Sequence, residues 1–390
     1  MDQGVISLDR NEQRMYTLAL DVIYQKLTIK EFSVLINKSY RQSQRIIKKI
    51  QNKGILGLKH GNLSKSPWNK TSDDLRRQVM DLFERYYFDF NLTHFAEKLK
   101  EEHGIIIRRE TLRKWAHQRN HVNKAKKRRA KKVYRPRLRM PQEGLLVQFD
   151  GSEHAWFGSK KSIYTLIGGV DDATGEVLYL EFFAGEYTFN CMKTMKGIVK
   201  NKGIPQAFYL DQAGHFGKMH AEQNSTQIGR ALAELGCKVI LASAPQSKGR
   251  IERLWGTLQD RLIAELRYHD IKTVQKANKY LQDIFIPDYN KKFKVPARQT
   301  KSAYKPVPSW IKLNKVFTIK DKRRITSGNV FSYENEKYVI NYDVNLRYKF
   351  ITILNYDDGR IEFEVMGKSV TASKIEKIRD NINEQDKEAA

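Results

Sequence analysis

The chain has 390 residues, with 71 Lys and Arg against 44 Asp and Glu, a formal net charge of +27 and a pI near 9.8. With 40% hydrophobic and 11% aromatic residues it can bury sizeable cores, which excludes a disordered basic tail and leaves room for two or three domains. No run approaches the roughly 20 apolar residues that cross a bilayer, no apolar signal core opens the chain, and Cys191 and Cys237 make neither a disulfide framework nor a C-x-x-C pair, so a soluble intracellular protein with a polyanionic partner is expected.

The charge is unevenly spread. Residues 1–141 hold 33 basic and 14 acidic side chains, residues 142–286 hold 17 and 16, and residues 287–390 hold 21 and 14. Within 1–58 three short helices are predicted, with Thr28 and Ser39 as N-caps and Ile46, Ile47 and Ile50 inward on the third. Arg41, Gln44, Arg45 and Lys48 then lie on its outer faces, as in a helix-turn-helix whose second helix enters the major groove and reads base edges. Residues 59–70 read as a linker, and 71–122 repeat the logic with a stripe of Leu75, Val79, Leu82 and Phe83, then Leu112 and Trp115 inward and Arg109, Arg113 and Lys114 outward. The segment 123–141 is a basic linker with ten Lys and Arg in the sixteen positions 124–139, Lys127, Arg128 and Arg129 among them; it suits sequence-independent neutralisation of phosphates.

From residue 142 to 286 apolar runs alternate with amphipathic helices. Short strands end at Asp150 and Asp211, a hairpin turns around Asp172-Ala-Thr-Gly175, and a helix from about Arg250 to Tyr268 carries Ile251, Leu254, Trp255, Leu258 and Leu262 as a buried stripe with Glu252 beside it. The element order β-β-β-α-β-α-β-α predicts helices packed on a mixed sheet, with the Asp150 strand central and the Asp211 strand its neighbour. Three convergent acids repel one another and call for a cation, and magnesium suits hard oxygen ligands. Residues 287–309 form a basic connector, the alternating runs of 310–372 predict a small β-barrel, and 373–390 a tail.

Three local words sharpen this. Gln148-Phe-Asp-Gly-Ser152, Tyr209-Leu-Asp-Gln-Ala-Gly214 and Ser243-Ala-Pro-Gln-Ser-Lys-Gly-Arg-Ile-Glu-Arg253 resemble the catalytic motifs of DDE transposases of the retroviral-integrase superfamily, most closely the ISNCY type of bacterial insertion sequence. The resemblance is strongest over 142–270 and implies a multidomain α/β protein: N-terminal helix-turn-helix modules, a ribonuclease H-like catalytic core and a C-terminal small β-barrel. It implies Asp150, Asp211 and Glu252 as catalytic metal ligands for two Mg²⁺ ions, with Mn²⁺ as a substitute, in a cytoplasmic, nucleoid-associated protein. The implied partners are the double-stranded DNA of terminal inverted repeats and target, bound by a homo-oligomer, with no membrane. The acids lie 61 and 41 positions apart, and Gln259 stands seven residues after Glu252, where relatives often carry Lys or Arg against the DNA end. Lys248, Arg250, Arg253 or Arg261 is the DNA contact expected instead. A DNA-binding regulator with a non-catalytic core and a metal-dependent nuclease without strand transfer are the rival readings.

Overall fold

The computed structural model describes residues 8–59, 70–121, 138–158, 162–211, 226–242 and 248–375. Lys127, Arg128 and Arg129, with nearly all of the basic linker and of the segment 59–70, lie outside them. Two compact units are present, divided between Gln78 and Val79.

The first unit contains α1 (Arg10–Ile23), α2 (Ile29–Leu35) and α3 (Tyr40–Lys53). Capping boxes start α1 at Asp9 and Glu12 and α2 at Thr28 and Glu31, and the Ser39 hydroxyl accepts from the Gln42 amide at the start of α3. Ala19, Phe32, Ile47 and Ile50 form the core, which leaves Arg41, Gln44, Arg45 and Lys48 exposed on α3.

The unit boundary crosses α4 (Asp73–Tyr86), which α5 (Leu92–His103) and α6 (Arg109–Gln118) follow. Val79, Phe83, Phe95, Leu99, Leu112 and Trp115 are buried here. Next come β1 (Val147–His154), β2 (Tyr164–Asp171), β3 (Val177–Phe183), α7 (Thr188–Lys202), β4 (Ala207–Leu210), α8 (Gln227–Glu234), β5 (Lys238–Leu241) and α9 (Gly249–Tyr268). The five strands make one sheet in the order β3-β2-β1-β4-β5, antiparallel from β1 to β3 and parallel from β1 through β4 to β5. β1 is therefore central and β4 lies beside it, as the element order predicts.

Alternation along β1 divides the core. Val147 and Phe149 pack with Met195 and Ile198 of α7 and with Leu232 of α8, whereas Leu166, Leu180 and Phe182 pack with Ile251, Leu254, Trp255, Leu258 and Leu262 of α9 on the opposite face. Both cysteines are buried.

Two expectations change beyond this sheet. The connector expected from residue 287 begins later, because a helix runs through α10 (Val274–Tyr280), a π-helical segment at Leu281–Phe285 and α11 (Ile286–Phe293). Pro287 follows directly on the π-helical segment, where the Ile286 amide bonds five residues back to the Leu281 carbonyl, and the chain stays helical through it. The connector then lies on the core, with Lys305 bridging Ile204 and the Tyr304 hydroxyl donating to Asp171. After α12 (Leu313–Val316) come β6 (Ile319–Arg324), β7 (Val330–Tyr333), β8 (Glu336–Ile340), β9 (Phe350–Asn355), β10 (Ile361–Val365), β11 (Lys368–Val370) and β12 (Ala372–Lys374). Where a small β-barrel is expected, no closed barrel is found among the described residues: the strands form a sheet β11-β10-β9-β6 and a sheet β12-β8-β7 around one core that includes Phe331, Ile340, Ile351 and Val365.

Candidate active site

Gln148, Asp150 and Ser152 share the face of β1 that looks at α9, because side chains of a strand alternate. Each meets α9 one turn further along: the Ile251 amide donates to Gln148 Oε1 at 3.2 Å, the Trp255 indole donates to Asp150 Oδ2 at 3.2 Å, and Gln259 Nε2 donates to Ser152 Oγ at 3.2 Å. Two strand residues advance about 6.6 Å and four helical residues about 6.0 Å, so the two elements stay in step over three rungs. Gln259, the departure at the position seven after Glu252, is thus one of the rungs.

The first rung reaches deeper. Gln148 Nε2 donates to Asp172 Oδ1 at 2.7 Å, and the same oxygen lies 3.0 Å from Arg250 Nη1. Asp172 is fully buried, and its neighbour Asp171 accepts from the amides of Ala173, Thr174 and Gly144. The turn chemistry expected of this pair is present, and Asp172 additionally anchors the start of α9.

Asp150 lies within β1, which runs on to His154 instead of ending at Asp150 as expected, and Asp211 directly follows the adjacent parallel strand β4; the two face one cation. Lys248 Nζ is 2.6 Å from Asp150 Oδ1 and 3.7 Å from Asp211 Oδ2, and its side chain is only 5% exposed. Burial pushes the Asp150 carboxyl above its ordinary range and the Glu186 carboxylate adds to this, against the pull of Lys248 and the Trp255 N–H. Glu186 also abuts the strand, since a Cβ on Gly151 would fall 2.6 Å from its Oε2, so the Gly of the Asp-Gly pair keeps that space open. Glu252 is exposed in the first turn of α9. Among the described residues no three His, Cys, Asp or Glu side chains are grouped to hold a metal, so two of the three expected acids are brought together here and Glu252 is not. Asp150 and Asp211 nonetheless fit a hard divalent cation, because both already turn carboxylate oxygens toward a single positive group.

Other expected contacts differ in their surroundings. Arg253, Arg109 and Lys114 are exposed, Arg113 is bound bidentately by Glu110, and Arg250 is turned inward to Asp172. The packing of α5 on α9 was not expected. Arg261 makes a bidentate pair with Glu97, and Glu265 sits with His94 Nε2 at 2.7 Å and Lys98 Nζ at 3.1 Å. Charge complementarity between Glu97 and Arg261 was the available signal, but 164 positions separate them.

No family model matches the chain. It is 31% identical over 377 residues to the putative transposase y4bF of Sinorhizobium fredii, covering 94% of this chain and 81% of that protein. It is 30% identical over 369 residues to the transposase for insertion sequence IS1202 of Streptococcus pneumoniae, covering 84% of this chain and 78% of that one. Among solved structures, the magnesium complex of the HTLV-2 integrase catalytic core in its trimeric form is similar at 18% identity and a TM-score of 0.29, over 37% of this chain and 88% of that one. The simian T-cell lymphotropic virus intasome in complex with the PP2A regulatory subunit B56 gamma is similar at 14% identity and a TM-score of 0.31, over 61% of this chain and 84% of that one.

Proposed function

The chain belongs to the transposases, and on that premise we propose that it is a DDE transposase of the retroviral-integrase superfamily, which binds the terminal inverted repeats of an insertion sequence, hydrolyses the phosphodiester at each element end and joins the freed 3′-hydroxyl to target DNA. The observation that carries this reading is the pairing of Asp150, within β1, and Asp211, just past the neighbouring parallel strand β4, around one cation position. Asp150, Asp211 and Glu252 are the proposed ligands of two magnesium ions, with manganese as a substitute; bound there, the metal supplies Lewis-acid stabilisation of charge on the reacting phosphate.

The chain's own groups do the positioning. The Trp255 N–H fixes one oxygen of Asp150, and the Gln148 bond to the Ile251 amide holds the turn that carries Glu252. Direct phosphoryl transfer needs no covalent enzyme intermediate, so no Ser or Tyr nucleophile is assigned. Arg41, Gln44, Arg45 and Lys48 are the proposed base-reading and phosphate contacts of a helix-turn-helix. Arg109, Arg113, Lys114, Lys127, Arg128, Arg129, Lys248, Arg250 and Arg253 are proposed as further DNA contacts. Pairing two element ends calls for a homo-oligomer assembled on double-stranded DNA.

The test uses purified protein, labelled end duplexes, a target plasmid and Mg²⁺ or Mn²⁺. Asp150→Asn, Asp211→Asn and Glu252→Gln are each expected to lower cleavage and joining by at least about 100-fold. Parental activity in any one of them removes that residue from the site, and cleavage without joining by the parent leaves a nuclease in place of a transposase.

A further inference from the structure

We infer that Lys248 is a built-in counter-cation that holds the metal position between Asp150 and Asp211 while the chain is metal-free, and that a divalent ion must displace it. The inference rests on the ligand assignment of the proposed function and extends it to a residue that would compete with the metal.

Three observations converge on it. The ammonium is within hydrogen-bonding distance of Asp150 and within ion-pair distance of Asp211, so a single positive charge is shared by two of the proposed ligands. The group is buried, with its side chain 5% exposed beside an Asp150 side chain that is 18% exposed, so water does little to screen the pair. The acids also need it: Asp150 feels the repulsion of Glu186, and removing the cation would leave Asp150 without its charged partner in a poorly hydrated site.

The backbone makes the lysine a tethered competitor. Lys248 immediately precedes α9, whose next residues are anchored through the Ile251 amide to Gln148 and through Arg250 to Asp172. The helix start is thus held while the flexible four-carbon stem of the lysine remains free to swing its ammonium away. A cation attached to the same chain is always present at high local concentration, so metal binding has a threshold that sites built from acids alone lack. In the metal-free chain the same tether suppresses repulsion between the carboxylates, which stabilises a site otherwise costly to assemble.

The test measures binding of Mn²⁺ alone to the full chain, by loss of the free-ion electron paramagnetic resonance signal, together with thermal melting in metal-free buffer. Lys248→Met is expected to bind Mn²⁺ at least about tenfold more tightly than the parent, a change equal to about 1.4 kcal/mol, and to melt lower without metal. Lys248→Arg, which keeps the charge, is expected to stay within about threefold of the parent. Lys248→Gln serves as a second charge-removing variant if Lys248→Met does not fold without metal, and recovery of either variant on adding Mn²⁺ counts in favour. Parental or weaker Mn²⁺ binding by the charge-removing variants, with Asp150→Asn and Asp211→Asn both weakening it, overturns this inference alone. Unchanged Mn²⁺ binding in Asp150→Asn and Asp211→Asn overturns the ligand assignment, and this inference with it.

Discussion

Gln148 uses both ends of one buried amide, donating to Asp172 and accepting from the Ile251 backbone, so a single side chain links the hairpin turn, the central strand and the helix that bears Glu252. Gln148→Leu keeps much of the volume but strands the buried Ile251 amide donor and leaves Asp172 Oδ1 with Arg250 and without its Gln148 bond, at a cost of about 1–3 kcal/mol. Urea unfolding should report that loss, and end cleavage should fall with it as the first turn of α9 loosens; a variant with the parental midpoint and parental cleavage contradicts the linkage. At this scale the sequence was readable in part. Asp150 and Asp211 stand out in recognisable words beside apolar runs, although β1 continues past Asp150 to His154, whereas the position of the Lys248 ammonium depends on the direction of a side chain at a loop-to-helix junction, which no periodicity encodes. Asp172 was legible as a turn residue only, because its second role requires Gln148 and Arg250, brought in from 24 and 78 positions away.

The contact between α5 and α9 is ionic at its centre. Glu265 is surrounded by Lys98, His94, His269 and the Tyr280 hydroxyl. Burial opposes its ionisation, but hydrogen bonds from His269 and His94 and the charge of Lys98 outweigh that and hold the carboxyl well below its ordinary value near 4.5. A depressed folded value means that the ionised form stabilises the fold above the ordinary value and that this contribution fades as pH falls through the folded one. Acidification below about pH 5 should therefore lower the parental urea midpoint more steeply than that of Glu265→Gln, which should also be less stable at neutral pH. Parallel curves for the two proteins would count against the assignment. Helices with strong apolar stripes, α9 above all, were legible because burial repeats every turn. The continuation through Pro287 was not, since Pro reads as a breaker and no periodicity marks the π-helical turn before it. Nor was the pairing of β6 to β12 into two sheets, because alternation marks a strand without naming its neighbours.

Across the whole molecule, the excess of basic residues before position 142 and the near balance from 142 to 286 divide the work. The proposed attraction to phosphate belongs to the first region, and the second sets Asp150 and Asp211 against a cation. Binding to a duplex of arbitrary sequence should accordingly weaken steeply with salt, with a slope of log affinity on log salt of about −5 or steeper if six or more phosphates are neutralised. Fluorescence anisotropy between low and moderate salt measures it, and a slope near zero would remove the electrostatic account of the N-terminal charge. The division was visible in composition alone, but composition did not reveal that α5 is fastened to α9. The three rungs between β1 and α9 also constrain how such a chain drifts. Deleting one residue inside β1 would turn the remaining polar side chains to the α7 face, and deleting one inside α9 would rotate the helix by about 100° and break the match at every later rung. Length changes among descendants of this gene should therefore accumulate in the connections and spare both elements, so the intervals between the three acids can vary while the spacing of the rungs stays constant.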